Sequence, residues 1–146
     1  MSSERPAGRA LAVDLGARRV GLAACDRAGS MAFPYGVIER RGDAADLEAI
    51  GRAAQEVEAE TVVVGLPLSL DGSDGPAAAR ARAEADELRA LLSIPVVLFD
   101  ERLTTVSALA SLSAAGRRGR AARSVVDSAA ATVLLQAWLD AGRPGA

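Results

Sequence analysis

The run Thr61-Val62-Val63-Val64 constrains the fold of this chain more than any other feature of its sequence. In an extended segment its side chains alternate between the two faces, and none of them is charged. Strands that are apolar on both faces are typical of a parallel sheet covered by helices on both sides. Successive parallel strands need a crossover of a dozen or more residues, usually a helix. We therefore expect an α/β protein.

Hydrophobic periodicity on either side of this run predicts the element order βββαβαβαα. Short connections make the first three strands antiparallel, Pro34 places the third at a sheet edge, and Asp43 is positioned to cap the first helix. The predicted fold is a mixed five-stranded sheet, three antiparallel and then parallel strands, flanked by helices in a single domain spanning 1–146, with flexible tails at 1–8 and 142–146. The predicted strands lie at 9–14, 19–26, 31–39, 61–64 and 95–99, and the helices lie after Asp43, along the stripe from Ala81 to Leu92, at 104–115 and at 125–141.

Asp14 is a carboxylate at the end of what reads as a buried strand, Ala10-Leu11-Ala12-Val13-Asp14. An unpaired buried charge is costly, so an ionised Asp14 needs a partner. The chain contains no His and no Lys. The partner is therefore an Arg, a set of backbone donors or a metal ion, unless Asp14 only caps the turn that follows it.

Further acidic residues are expected at the same sheet edge as Asp14, because ligands of α/β sheets bind at the carboxyl ends of the strands. Asp100 and Glu101 follow the fifth strand, and Asp127 opens the last helix. Asp127 shares a helical face with Ala130, Ala131, Leu134 and Trp138. Three converging carboxylates would form an oxygen-rich site for Mg²⁺ or Mn²⁺. Taken singly, Glu101 could instead pair with an Arg, and Asp127 could form a capping box with Ser124.

Composition excludes several classes of function. Without histidine the chain has no Ser-His or Cys-His nucleophilic pair and no His-containing zinc site. Its 17 arginines are outnumbered by 19 acidic residues, so only a local basic cluster would favour nucleic acid. The start of the chain lacks a signal peptide pattern, and no run reaches the roughly 20 apolar residues of a membrane span. We expect a cytoplasmic protein with no membrane partner.

Three segments are candidates for phosphate contacts. The loop 66–76 offers backbone N–H groups at Gly72 and Ser73 and leads into a helix, although it could equally be an ordinary capped loop. Arg102 is placed either for a phosphate or for pairing with Asp100. The third segment is the basic cluster Arg117, Arg118, Arg120 and Arg123, which either holds a nucleic-acid backbone or is a solvated connector.

Four blocks of the sequence occur in an order that resembles the YqgF/RuvX family. They are the stretch from Leu11 to Gly21, Val64-Gly65-Leu66-Pro67 with the stretch from Asp71 to Pro76, the stretch from Phe99 to Thr105, and Val126-Asp127-Ser128-Ala129-Ala130. The resemblance implies an RNase H-like fold, a relationship to the Holliday-junction resolvase RuvC, and a nuclease that trims the precursor of 16S ribosomal RNA. By position, it implies that Asp14, Glu101 and Asp127 are the catalytic, metal-holding residues.

The middle carboxylate departs from the pattern of the wider superfamily. RuvC-like resolvases place their second acidic residue on strand four, whereas this strand ends in Val64-Gly65-Leu66-Pro67. Glu101 would have to substitute, with Asp100 as its rival, and the family's Asp-Glu-Arg pattern favours Glu101. The alternative functions are a resolvase acting on branched DNA, a non-catalytic nucleic-acid or transcription-complex binding protein, and a nucleotide-binding ATPase-like module. A monomer and a homodimer are both compatible with the sequence.

Overall fold

A computed structural model of the chain describes residues 8–104 and 119–146, with residues 119–127 described by their backbone alone. Five strands and three α-helices are present in this part of the chain. They are β1 (Ala10–Leu15), β2 (Arg19–Cys25), β3 (Ala32–Glu39), α1 (Asp43–Glu56), β4 (Thr61–Leu66), α2 (Pro76–Leu91), β5 (Val96–Asp100) and α3 (Gly119–Asp140), with a short 3₁₀ helix at Glu101–Leu103. None of the helices described is long and apolar enough to cross a membrane.

The five strands form one mixed sheet in the order β3-β2-β1-β4-β5. The pairs β1–β2 and β2–β3 are antiparallel, while β1–β4 and β4–β5 are parallel. Pro34 lies on the edge strand β3, as predicted, where the ladder hydrogen bond that it cannot donate is not needed. The carboxyl ends of β1, β4 and β5 consequently meet at one edge of the sheet.

The sheet separates two apolar layers, and β4 contributes to both. Val62 and Val64 pack into the layer formed with α1 and α2. Val63 packs on the opposite face with Trp138 of α3. All three valines are completely buried. The two-sided burial predicted for the run 61–64 is confirmed. In the sheet, β4 lies between β1 and β5 and pairs with both.

Two helix starts differ from the prediction. Gly42, not Asp43, is the N-cap of α1, and no side-chain oxygen caps this helix. The last helix begins at Gly119 rather than near 125, because the Ala and Arg residues that precede Ser124 are good helix formers and carry no stop signal. Asp127 therefore lies inside α3 and does not open it. Ser124 is also within the helix, so it cannot be its N-cap. The helix predicted at 104–115 lies outside the described residues, apart from Thr104.

Residues of the C-terminal segment 142–146 make polar contacts with the rest of the domain. The indole Nε1 of Trp138 donates a hydrogen bond to the carbonyl oxygen of Pro144 at 2.9 Å. The guanidinium of Arg143 lies over the Trp138 ring, 5.5 Å from its centre. The same guanidinium donates to the carbonyl oxygen of Gly8 at 2.9 Å, which links the two ends of the described chain.

Arg40 connects the turn after β1 to both helices of one layer. Its Nε donates to the carbonyl oxygen of Gly16 at 2.8 Å. Its terminal nitrogens donate to both carboxylate oxygens of Glu84, at 2.8 and 3.2 Å, and to Asp46 at 3.4 Å. Asp46 is 2% exposed and also accepts the backbone N–H of Arg41 at 2.8 Å. One guanidinium thus pairs with two buried acids and also contacts the turn that follows Asp14.

We predict that Arg40→Gln lowers the free energy of unfolding by about 3 kcal/mol, because removing one partner of a buried ion pair leaves the carboxylates uncompensated. Urea denaturation monitored by circular dichroism measures the change. The matched control is Arg41→Gln, since the Arg41 side chain is exposed, and it should shift stability by less than about 0.5 kcal/mol. Equal stability of the two variants would contradict a structural role for Arg40.

Candidate active site

The candidate site lies at the edge where β1, β4 and β5 end. Val13 of β1 is paired with Val64 of β4, so Asp14 and Gly65 follow at the same level. Gly65 is in turn paired with Phe99 of β5. The chain then leaves β5 at Asp100 and enters the 3₁₀ turn with Glu101. Because these strands are parallel and in register, Asp14 of β1 and Glu101 after β5 lie on opposite sides of Gly65.

The carboxyl groups of Asp14 and Glu101 are joined by a side-chain hydrogen bond. Such a bond requires that one of the two groups carries a proton, because an ionised carboxylate has no donor. Burial, followed by the negative charge of Asp14 and this hydrogen bond, raises the pKa of Glu101 to about 7. Below about pH 7 the pair therefore holds a proton, which a bound cation would displace.

Gly65 provides the space in which the two carboxyl groups meet. A Cβ atom at this position would lie 3.1 Å from both Cγ and Cδ of Glu101 and would be closer still to its Oε2. Any side chain at position 65 would thus displace Glu101. The sequence shows only that β4 ends without an acid. It does not reveal that Gly65 lies against the side chain of Glu101.

The turn after β5 separates the two adjacent acids. Asp100 caps the turn by accepting the backbone N–H of Arg102 at 2.9 Å. The N–H and hydroxyl of Thr104 both donate to the carbonyl oxygen of Glu101, at 3.0 and 2.6 Å. The Arg102 guanidinium also pairs with Asp100 and lowers the pKa of that carboxyl. Asp100 is thereby held by Arg102, and Glu101 is the residue that faces Asp14.

The glycine-rich loop uses its predicted phosphate donors internally. The N–H and hydroxyl of Ser73 both donate to Asp71 Oδ1, at 2.9 and 2.7 Å. The N–H of Gly72 donates to the carbonyl oxygen of Ser69 at 2.8 Å. Asp71 and Ser69 thus already accept the donors that the sequence assigns to a phosphate at Gly72 and Ser73, and phosphate binding by this loop stays a prediction.

The remaining candidates are only partly placed. Asp127 lies one turn before Ala131, which is completely buried in the layer under α3, whereas Ala130 is exposed. The side chain of Asp127 is outside the described residues. Arg117 and Arg118 lie outside them as well. Arg120 and Arg123 have helical backbone in α3 and so do not belong to the loop in which the sequence placed them.

The two carboxyl groups that the structure does bring together suit a hard divalent cation. Mg²⁺ is commonly bound through one or two protein carboxylates, with waters and substrate phosphates completing its coordination. Within residues 8–104 and the described side chains of α3, no group of three acidic, Cys or His residues is close enough to hold a metal ion. Asp14 and Glu101 thus provide two oxygen-donor groups, with room for ligands from elsewhere.

The strand order, the helices on both faces and the acidic edge define an RNase H-like fold of the kind found in resolvases. The structure of T. thermophilus RuvC in complex with a Holliday junction substrate matches this chain with a TM-score of 0.60 at 11% identity, covering 94% of this chain and 96% of that one. At this identity, the match establishes a shared fold.

Sequence comparison identifies the family. The model of the RuvX family, described as Holliday junction resolvase, matches residues 8–141, and the chain belongs to this family. A protein of Kineococcus radiotolerans is 54% identical over 143 residues, covering 97% of this chain and 76% of that protein. A protein of Anaeromyxobacter dehalogenans is 47% identical over 136 residues, covering 93% and 99%. Both carry the name "Putative pre-16S rRNA nuclease".

We predict that Glu101→Gln changes how stability depends on pH in metal-free buffer. The pKa of Glu101 is about 7 in the folded chain and has its ordinary value of 4.5 otherwise. The stability contributed by its neutral form is complete below the lower value and is lost as the pH rises through the higher one. Between about pH 5 and pH 8, wild type should lose about 1 to 3 kcal/mol more than the variant.

Thermal unfolding in the presence of a chelator, at a series of pH values, measures this difference. The control is Glu48→Gln, because the Glu48 side chain is 75% exposed on α1 and should leave the pH dependence of wild type unchanged. Parallel stability curves for wild type and Glu101→Gln would contradict the carboxyl–carboxyl contact.

We predict that Gly65→Ala weakens Mn²⁺ binding about 10- to 100-fold, because the added methyl group pushes Glu101 away from Asp14, and displaced supporting groups cost this much metal affinity. Titration calorimetry with Mn²⁺ measures the effect. The control is Gly36→Ala on β3, where an added Cβ would meet no atom within 4 Å. Unchanged Mn²⁺ affinity in a folded Gly65→Ala protein would show that Glu101 does not need this space.

Proposed function

We propose that this chain is a divalent-metal-dependent nuclease that hydrolyses phosphodiester bonds in the precursor of 16S ribosomal RNA. The observation that carries the proposal is the hydrogen-bonded pair of Asp14 and Glu101 at the carboxyl-end edge of an RNase H-like sheet. Membership of the RuvX family and the names of the two relatives support the nuclease activity and the RNA substrate.

In this proposal Asp14 and Glu101 bind Mg²⁺ or Mn²⁺, and Asp127 is the third ligand by its position in the family pattern. The bound metal would activate a water molecule and stabilise the leaving oxygen of the phosphodiester. The chain supplies the charge for this binding by giving up the proton that its two carboxyl groups share. Gly65 and the turn after β5 orient Glu101, so that the donor oxygens are arranged before the substrate arrives.

The absence of histidine from the sequence fits this chemistry. Phosphodiester hydrolysis needs a nucleophile generated near neutral pH, and metal coordination achieves this without an imidazole base. The basic cluster Arg117, Arg118 and Arg120, which precedes Asp127 in the chain, is the proposed contact with the nucleic-acid backbone. Such contacts with phosphates provide affinity without reading the base sequence.

Branched DNA is the second candidate substrate, because the matching family is described as Holliday junction resolvase. A non-catalytic binding protein is the third possibility. The two carboxyl groups count against it, since placing like charges together at partial burial destabilises the chain and requires a compensating use.

We predict that wild type cleaves a short RNA spanning the 5′ end of 16S ribosomal RNA in Mg²⁺ or Mn²⁺ and that Asp14→Asn reduces the rate by at least about 10³-fold, because it removes a metal ligand from a step that depends on the metal. Gel analysis of end-labelled RNA, with a four-way DNA junction in parallel, measures both substrates. The control is Asp86→Asn, which changes an exposed carboxylate on α2.

Each outcome assigns the activity. Cleavage of the RNA alone supports the proposed substrate, and cleavage of the junction alone assigns the resolvase activity instead. Equal cleavage by wild type and Asp14→Asn would place the activity in another site or a contaminant. Binding of either nucleic acid with no cleavage under any metal condition would overturn the nuclease proposal.

A further inference from the structure

Arg102 bridges two separate segments beside the candidate site. On one side, its Nε donates to both carboxylate oxygens of Asp100, at 3.1 and 3.0 Å, and its Nη2 donates to Asp100 Oδ2 at 2.7 Å. On the other side, its Nη1 donates to the carbonyl oxygen of Leu70 at 3.2 Å. The guanidinium therefore ties the end of β5 to the loop 67–75.

The β5 side of this bridge controls the turn that carries Glu101. Asp100 accepts the backbone N–H of Arg102 as well as its guanidinium, so backbone and side chain together fix the start of the turn. The negative charge of Asp100 also acts on the neighbouring Glu101. The positive charge of Arg102 offsets this charge, because its guanidinium pairs with Asp100 at 2.7 Å.

The loop side is the segment 67–75, which Arg82 also restrains through its ion pair with Asp74. Its turn is closed by hydrogen bonds between its own residues, such as Ser69 N–H to Ser73 O at 3.0 Å. Leu70 at its tip is 95% exposed. Gly72 has a φ of +88° and lies under the guanidinium, where an added Cβ would be 3.5 Å from Nη1 of Arg102. Arg102 thus fixes the tip of an otherwise exposed loop against the site.

Few donors of Arg102 remain for a substrate phosphate. A guanidinium has five N–H groups, and three of them, one each on Nε, Nη1 and Nη2, are used in the bridge. The Asp100 carboxylate also neutralises its charge in the forked geometry that a phosphate would otherwise occupy. A phosphate would have to displace a carboxylate that is already bound by both the side chain and the backbone.

We propose that Arg102 is a positioning residue that acts through Asp100 and Leu70 and does not bind the substrate. It holds the turn so that Glu101 remains against Asp14, and it holds the loop 67–75 as a fixed wall beside the carboxyl pair. This inference rests on the proposed nuclease function. In the segment Asp100-Glu101-Arg102, Glu101 would bind the metal, and the ion pair between Asp100 and Arg102 would orient Glu101.

A double-mutant cycle of Arg102→Gln, Asp100→Asn and the double variant tests the proposal. Each single variant should lower kcat by about 10²-fold through misplacement of Glu101, with KM changed less than about threefold. The double variant should be no slower than the slower single variant, because both changes break the same contact. The salt dependence of RNA binding should stay that of wild type. The control is Arg82→Gln, whose ion pair with Asp74 restrains the same loop but does not reach β5, and it should keep the kcat of wild type.

The opposite pattern would overturn the proposal. If Arg102→Gln raises KM and reduces the salt slope of binding by about one phosphate contact, while Asp100→Asn keeps the wild-type kcat, Arg102 is a phosphate ligand. A normal kcat in both single variants would also refute it.

Hydrogen exchange of the free protein separates this inference from the nuclease proposal. In Arg102→Gln, the amides of Ser69, Gly72 and Ser73 should exchange faster than in wild type, while those of β4 should be unchanged. This result would support the bridge even if no substrate were cleaved. Unchanged exchange in the loop would refute the bridge even if wild type proved to be an active nuclease.

Discussion

The contact between the carboxyl groups of Asp14 and Glu101 is the interaction on which the rest of the site depends. Two acids at partial burial repel each other when both are ionised, so the fold must hold them together against their own charge. The parallel register of β1, β4 and β5 sets the distance between the chain segments. Gly65 leaves the space, and the turn after β5 aims Glu101 into it. Loss of any of these features would relax the contact.

A second group of buried acids in the same domain shows how different this arrangement is. Asp46 and Glu84 are buried at nearby positions, and both receive the guanidinium of Arg40. Each carboxylate thus has a cationic partner within the fold, which is the usual solution for structural carboxylates. Glu101 instead bonds to another carboxyl group, and its pKa rises to about 7. An acid whose ionised form is disfavoured in this way is suited to gain stability from an added cation, as proteins often accept a local cost at functional sites.

The sequence predicted the elements whose pattern is set by burial and failed where the pattern is set by contacts. Two-sided burial of β4 and the edge position of Pro34 follow from local chemistry, and both are confirmed. The predicted start of α3 was too late in the sequence, because the Ala and Arg residues before Ser124 are good helix formers and are already part of the helix. The donors of Gly72 and Ser73 are used within the loop, by the Ser69 carbonyl and the Asp71 carboxylate, and these contacts do not follow from the spacing of the residues. The role of Gly65 was not predicted, because it depends on the contact between β4 and the turn after β5.

The position of Glu101 shows why the site needs the residues around it. Glu101 does not lie on a strand, where ladder hydrogen bonds would fix its backbone. Here the acid comes from a 3₁₀ turn of three residues, and such turns have poorer hydrogen-bond geometry than a strand or an α-helix. Asp100 and Thr104 restrain the turn at its two ends, and Arg102 ties it to the neighbouring loop. These contacts provide rigidity that the turn alone lacks, so the position of Glu101 depends on the residues around it.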